Sequence, residues 1–376
     1  MALTHSSAIK RYSYRLPDSE LEKKLPRIPS QPISALDAYK LLSELDGEKV
    51  DESWQGGFNF TFRFGPKLRN RRQVKMNVKN ELKYAKVHNV CGKIKGKIEP
   101  DRFIIIGNHR DAWVYGGSDP QSGSAIVQEL ARLYGKLYRK GWHPRRSILF
   151  CSWDGEEYGL VGSYEWVEVR IFYLTKQFYE FNLYKASVDN FKWLSSNAVA
   201  YINLDSGVSG NETVLLQTVP LMQNVFTEAT TKYNGLYVPD PRNSKKTIND
   251  TWGAKYGRKR IIKIGAGSDF VPFIANVGVP SYFARYCYFG DEWNKRVTPL
   301  YHSRYETYRL SKMIDPKVKF KKAMAQIQAE VIRDLSDSVI IPFKLDDYIQ
   351  ELTHAVNRLV NNGLIFTNET DMKKES

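Results

Sequence analysis

An α/β fold, with a mostly parallel central sheet flanked by helices, is what this sequence predicts from about residue 84 onward. Three observations carry that expectation. Hydrophobic stretches alternate with amphipathic ones along the chain, the order expected of repeated strand–helix units. The hydrophobic stretches FIIIG, SILFCSW and VAYIN are continuous instead of alternating, as in strands buried on both faces. Between them, SGSAIVQELARLYGKLYRKG spaces its apolar residues along one face of a helix.

The elements follow in order. Residues 1–82 read as irregular and strand-like. There LPRIPSQPISALDAYKLLSEL joins proline-rich extended chain to a short amphipathic helix over 34–45. QGGFNFTFRFG and RQVKMNV then alternate with strand periodicity. KVHNVCGKIKGK and DRFIIIGNHRD predict two strands, RSILFCSWD a buried strand, and EEYGLVGSYEWVE the helix after it. NAVAYINLD is a further buried strand, PLMQNVFTEATTKY a helix and VPSYFARY a strand. KVKFKKAMAQIQAEVIRDLSDS and DDYIQELTHAVNRLVNNG follow as a helical tail.

Composition narrows the function classes. At 376 residues the chain is long enough for two or three units, and 42% hydrophobic content supports packed cores. No apolar run reaches the length of a membrane span, and MALTHSSAIKRYSYRL lacks the apolar stretch of a signal peptide. The formal charge of +15 raises the question of a nucleic-acid partner. The cations are scattered, however, through KLRNRRQVKMNVK, RKGWHPRR, SKKTINDTWGAKYGRKR and KVKFKK, and form no recognisable nucleic-acid module. Solvated basic faces and no nucleic-acid partner are therefore expected. Cys91, Cys151 and Cys287 are too few and too far apart to predict a disulfide framework or a paired-thiol metal site. Triplets N-x-S/T begin at Asn59, Asn211, Asn249 and Asn368 and hint at a secretory context.

Three buried strands end in an acid or a histidine: FIIIGNHRD at His109, SILFCSWDGEE at Glu156 and Glu157, and VAYINLD at Asp205. Open α/β sheets bind ligands at the carboxyl ends of their strands. Asp119 adds a carboxylate from the glycine-rich loop VYGGSDPQSG, and His302 a second imidazole from PLYHSRYET. Singly each has a plainer account: a packed histidine, a helix cap at Asp119, a strand terminator at Asp205, first-turn acids at Glu156 and Glu157. Together His109, Asp119, Glu157, Asp205 and His302 are donors that suit zinc, and five ligands suit two ions if one carboxylate bridges. Two such ions can hold a bridging hydroxide and polarise a carbonyl, and that chemistry needs a base that is not a ligand. Glu156 fits, because neighbouring residues in extended chain point different ways. A cis Asp119–Pro120 bond would bend the loop so that the carboxylate faces both ions.

GNHRDAWVYGGSDPQSGSA, PRRSILFCSWDGEEYGLVGSYEW, AYINLD, GAGSDFVPF and PLYHSRYETY closely resemble the glutamate carboxypeptidase II (N-acetylated-alpha-linked acidic dipeptidase) and transferrin-receptor-like family, over nearly the whole chain. The resemblance implies a zinc-exopeptidase-type sheet, a peptide substrate and an extracellular or secretory location. It also implies a homodimer, formed in the family through a C-terminal helical domain. It implies one zinc on His109 and Asp205, a second on Glu157 and His302, and Asp119 between them. Glu156 matches the general base, and Tyr301 the tyrosine that binds the scissile carbonyl oxygen. Transferrin receptors share the fold but lack a full metal set, so the complete set here favours an enzyme over a non-enzymatic, receptor-like homologue.

Other positions depart from the family. Arg285 matches an arginine that favours acidic groups on the non-primed side, but Phe283 stands where a second would be, and Leu215 replaces a third. Ser268 replaces a pocket asparagine after Gly267. The family's structural calcium site is matched by Thr4, Glu165 and Glu168, with Ser7 where a tyrosine carbonyl contributes. The resemblance divides the chain into a partial apical, protease-associated segment at 1–83, a zinc peptidase domain at 84–338 and the start of a helical dimerisation domain at 339–376. On that reading the chain lacks the family's anchor, much of the apical domain and most of the helical domain. The aromatic-rich stretch at 169–188 is an atypical insertion, read as a retained intron in preference to a lineage-specific loop.

Overall fold

The computed structural model describes Lys23 and residues 26–81, 85–168, 190–233, 236–254, 257–288 and 300–362. The atypical stretch at 169–188 lies outside them. Contacts divide the chain into two compact units, with the boundary between Lys86 and Val87.

In the first unit, helix α1 (Ala35–Leu42) starts at Ser34, whose hydroxyl oxygen accepts the Asp37 N–H at 3.1 Å. The alternating segments after it form no strand ladder. Among the described residues they make only isolated bridges, Lys49 with Arg63 and Leu45 with Leu68. The alternation serves side chains instead. Phe58, Phe60 and Phe62 share one side of the extended chain and stack, with Phe60 and Phe62 ring centres 4.8 Å apart. Tyr39 of α1 packs edge-on against Phe58 and Phe60, both at 5.4 Å. Period two therefore marks a shared face here, not a sheet.

The second unit is built on a seven-stranded sheet. Its strands are β1 (Val90–Ile94), β2 (Glu99–His109), β3 (Arg146–Trp153), β4 (Ala198–Asn203), β5 (Thr213–Thr218), β6 (Arg260–Lys263) and β7 (Ser281–Cys287). They lie in the order β1-β3-β2-β4-β7-β5-β6. The central four, β3-β2-β4-β7, run parallel, while β1 is antiparallel to β3 and β5 antiparallel to β7. Both faces are covered. Ile104, Ile106, Ile148, Phe150 and Ile202 point into one core, and Ile105, Leu149, Trp153 and Tyr201 into the other. Continuous apolar runs are the result, since every residue of such a strand is buried.

Helices α2 (Gln121–Arg139), α3 (Val161–Glu168), α4 (Asn190–Asn197), α5 (Pro220–Ala229), α6 (Tyr308–Ile314), α7 (Lys319–Asp337) and α8 (Leu345–Asn361) follow their strands in chain order. α2 buries Ile126, Val127, Leu130 and Tyr134, one stripe at helical spacing, and packs against α7. α8 packs on α5. No described helix is long and apolar enough to cross a membrane.

Two expectations are corrected. The helix foreseen over EEYGLVGSYEWVE begins only at Val161, because Gly155, Gly159 and Leu160 have positive φ and turn the chain out of helical geometry. Cys91 and Cys151, unpaired in the sequence reading, form a disulfide. β1 and β3 align antiparallel with these residues directly opposite, a register that cysteine spacing cannot reveal.

Candidate metal centre

The parallel strands deliver their C-terminal ends to one edge of the sheet. There β2 ends at His109, β3 leads into Glu156 and Glu157, and β4 leads into Asp205. Asp205 is held close to α2 because Gly123 has no Cβ; one there would lie 1.9 Å from the Asp205 carbonyl oxygen. The Asn108 amide donates to the Leu204 and Asp205 carbonyls at 2.9 and 2.8 Å, fixing this backbone beside His109. The Asp119–Pro120 bond is cis.

Five side chains converge. His109 Nε2 lies 3.2 Å from Asp119 Oδ1 and 3.4 Å from Asp205 Oδ1. On the other side of the same carboxylate, His302 Nε2 lies 3.2 Å from Asp119 Oδ2 and 3.3 Å from Glu157 Oε2. Asp119 thus stands between the two imidazoles. Glu156 offers an oxygen near His109 and Glu157. His109 is 1% exposed and Asp119 5%, so this charge is gathered out of water.

Such a cluster is strained without a cation. Burial, then repulsion from Asp205, pushes Glu156 up to about 10. Burial, then Asp119, pushes Glu157 up to about 7. Burial works against a charged His109, yet Asp205, Asp111 and Asp119 outweigh it and raise its pKa well above the usual value. Asp119 is held below the carboxylate range: burial opposes its charge, but the imidazoles of His109 and His302 close beside it prevail. His109 Nε2, Asp119 Oδ1 and Glu157 Oε1 are buried without a hydrogen-bond partner. Two imidazoles, three carboxylates and orphaned donor atoms on three of them fit zinc.

Residues that sequence reasoning passed over orient this set. The Asp111 backbone carbonyl accepts from His109 Nδ1 at 2.9 Å, which leaves Nε2 as the free lone pair. Its carboxylate accepts the N–H groups of Glu156 and Glu157, both at 3.1 Å. Glu306 does the same for the other half, accepting Asp119 N–H at 2.7 Å and His302 N–H at 2.8 Å. That grip holds His302 at φ 55°, a conformation a histidine rarely adopts. The signal for both was proximity in NHRD and HSRYE, but their partners could be assigned only in three dimensions.

A cavity of about 330 Å³ opens beside the cluster, lined by Asp119, Asp205, Gly267, Phe283, Arg285 and Tyr301 among others. Arg285 donates to Ser206 Oγ at 3.3 Å, and its Nε is buried without a partner. Tyr301 stacks on His302 with ring centres 3.6 Å apart and is half exposed. Ser268 does not line the cavity: it is buried, and its hydroxyl donates to Asp205 Oδ2 at 2.5 Å. Of the calcium positions, Thr4 and Ser7 lie outside the described residues, while Glu165 and Glu168 are partly buried on α3.

Comparison with known proteins identifies the family. Residues 89–325 match the model of peptidase family M28. Aminopeptidase NAALADL1 of Rattus norvegicus is 35% identical over 356 residues, covering 90% of this chain and 44% of that protein. A probable glutamate carboxypeptidase, LAMP1 of Arabidopsis thaliana, is 37% identical over 347 residues, covering 92% of this chain and 44% of that protein. This chain therefore spans somewhat under half the length of these curated relatives. Among solved structures, a zinc aminopeptidase from Bacillus subtilis superposes with a TM-score of 0.42 at 22% identity, covering 65% of this chain and 49% of that one. The family model spans more than half of the sequence and includes all five converging side chains, so the chain belongs to peptidase family M28.

Proposed function

We propose that this chain carries the catalytic unit of a dizinc exopeptidase of the carboxypeptidase or dipeptidase type. The observation that carries it is Asp119, whose two oxygens each lie 3.2 Å from a different imidazole. His109 and Asp205 would hold one ion, His302 and Glu157 the other, and Asp119 would serve both. Bound zinc supplies Lewis acidity and acidified water at neutral pH. Glu156 takes the proton of the attacking water on its carboxylate and returns it to the amine nitrogen as the C–N bond breaks. The Tyr301 hydroxyl donates to the carbonyl oxygen as negative charge builds there; burial, then Asp119, raises its pKa and keeps it a phenol that can donate. Arg285, the cation among the residues lining the cavity, suits an acidic group of the peptide. The reading places the chain in an oxidising, secretory or extracellular compartment, which the Cys91–Cys151 disulfide supports.

The test is zinc content together with hydrolysis of N-acylated dipeptides and of peptides with a free amino terminus. Two zinc ions per chain with cleavage of the blocked substrate are expected. Glu156→Gln should retain zinc and lose about 10²–10⁴ in kcat. A folded chain that takes up no zinc would refute the proposal, and cleavage confined to free amino termini would reassign it as an aminopeptidase.

A further inference from the structure

The glutamate doublet sits on a turn, Asp154–Gly162, whose two ends are tied together by a side chain from the segment that leads into β1. Asn89, just before β1, accepts the Asp154 N–H on its Oδ1 at 3.1 Å. Its Nδ2 donates to the Gly162 carbonyl at 2.8 Å. One amide thus closes the turn around Glu156 and Glu157. The fit is tight: a Cβ on Gly162 would lie 2.2 Å from the Asp154 carbonyl oxygen and 2.5 Å from Asn89 Oδ1.

The chain that presents Asn89 is itself fastened. His88 N–H donates to Asp154 Oδ2 at 2.9 Å, and the Arg110 guanidinium bonds both the His88 carbonyl and, at 3.2 Å, Asp154 Oδ2. Two residues beyond Asn89, the disulfide from Cys91 fixes β1 to β3 at Cys151. β3 runs on into the turn, so the strand that carries the glutamates and the segment that clips them are joined covalently. Inside the turn, Glu156 O accepts the Gly159 and Leu160 N–H groups at 2.9 and 2.7 Å. Asp111 holds the glutamate N–H groups from the metal side, and Asn89 holds the turn's ends.

We propose that Asn89 is a positioning residue: it sets the turn so that Glu157 faces His302 and Glu156 stays free beside the cluster. This rests on the dizinc reading above, but the clip is a property of the backbone and can be measured without metal or substrate. Asn89→Ala removes both bonds, and Asn89→Leu removes them at nearly constant volume.

In both variants, hydrogen exchange at Gly159, Leu160 and Val161 should accelerate at least tenfold, with the amides of β2 and β4 unchanged. In chelator competition one of two zinc ions should weaken by about 10–100-fold, the effect of losing an outer-shell partner, while the other keeps its affinity. Turnover should fall with KM unchanged, because the cavity around Arg285 is not touched. Unchanged exchange in the turn overturns the proposal, whatever the metal does. So does faster exchange with both zinc affinities and kcat intact, or equal weakening of both ions. If the parent chain binds no zinc, the dizinc reading fails; the exchange measurement then still decides whether Asn89 sets the turn.

Discussion

At the scale of single residues, the site divides labour between groups that face the cluster and groups that aim them. Asp111 and Glu306 each accept two backbone N–H groups, so each fixes two donors at once. Glu306→Gln illustrates the consequence: one acceptor oxygen survives, but the new NH₂ faces a backbone N–H. Zinc affinity should fall about 10–100-fold by chelator competition, with the fold intact by circular dichroism. Asp111→Asn should do the same to the glutamate side, and a double variant should lose more than either alone. Single-residue chemistry was partly legible beforehand. His109, Asp205 and the doublet are found where apolar strands stop, and the structure brings them together with Asp119 and His302. Asp111, Glu306 and Asn89 were not legible, since their importance lies in which distant N–H they meet; Glu306 reaches Asp119 across 187 residues.

At the scale of elements, strands buried on both faces announced themselves as unbroken apolar runs, and α2 and α7 as apolar stripes. β5 (TVLLQT) and β6 (RIIK) escaped notice because three apolar residues in one and two in the other carry too little pattern. FNFTFRF misled in the opposite direction, since alternation reports a shared face and a ladder also needs a partner strand. The edge strand β1 offers a sharper lesson. It pairs with β3 alone in the sheet, and the Cys91–Cys151 disulfide closes a loop of 60 residues across that pairing. Replacing both cysteines by serine should cost about 2–4 kcal/mol in urea unfolding, chiefly by freeing the unfolded chain. Cys287 is buried, so the oxidised native protein should show no fast-labelling thiol, and reductant should expose the other two. Rapid labelling without reductant would show that the bond is absent.

At the scale of the whole molecule, the charge gathered at one sheet edge should be visible in overall stability. In the metal-free chain Glu156 is pushed up to about 10 and Glu157 to about 7, and both histidines are raised. Unfolded, these groups return to their ordinary values. Across roughly pH 5 to 10 the native state therefore binds more protons than the unfolded state, and stability falls as pH rises. Asp119, shifted downward, has the opposite sign but acts only in acid. Zinc replaces the retained protons, so its affinity climbs with pH as they are released. At free zinc about a thousandfold above Kd, the gain approaches 4 kcal/mol. Thermal melts at pH 6 and pH 8 should then move in opposite senses: the metal-free midpoint drops on going to pH 8, and the rise produced by zinc grows. Glu157→Gln removes one of the retained protons and should flatten both trends. A zinc-induced rise of equal size at the two pH values would mean that no proton is displaced, and that these carboxylates and imidazoles are not the groups that bind the metal.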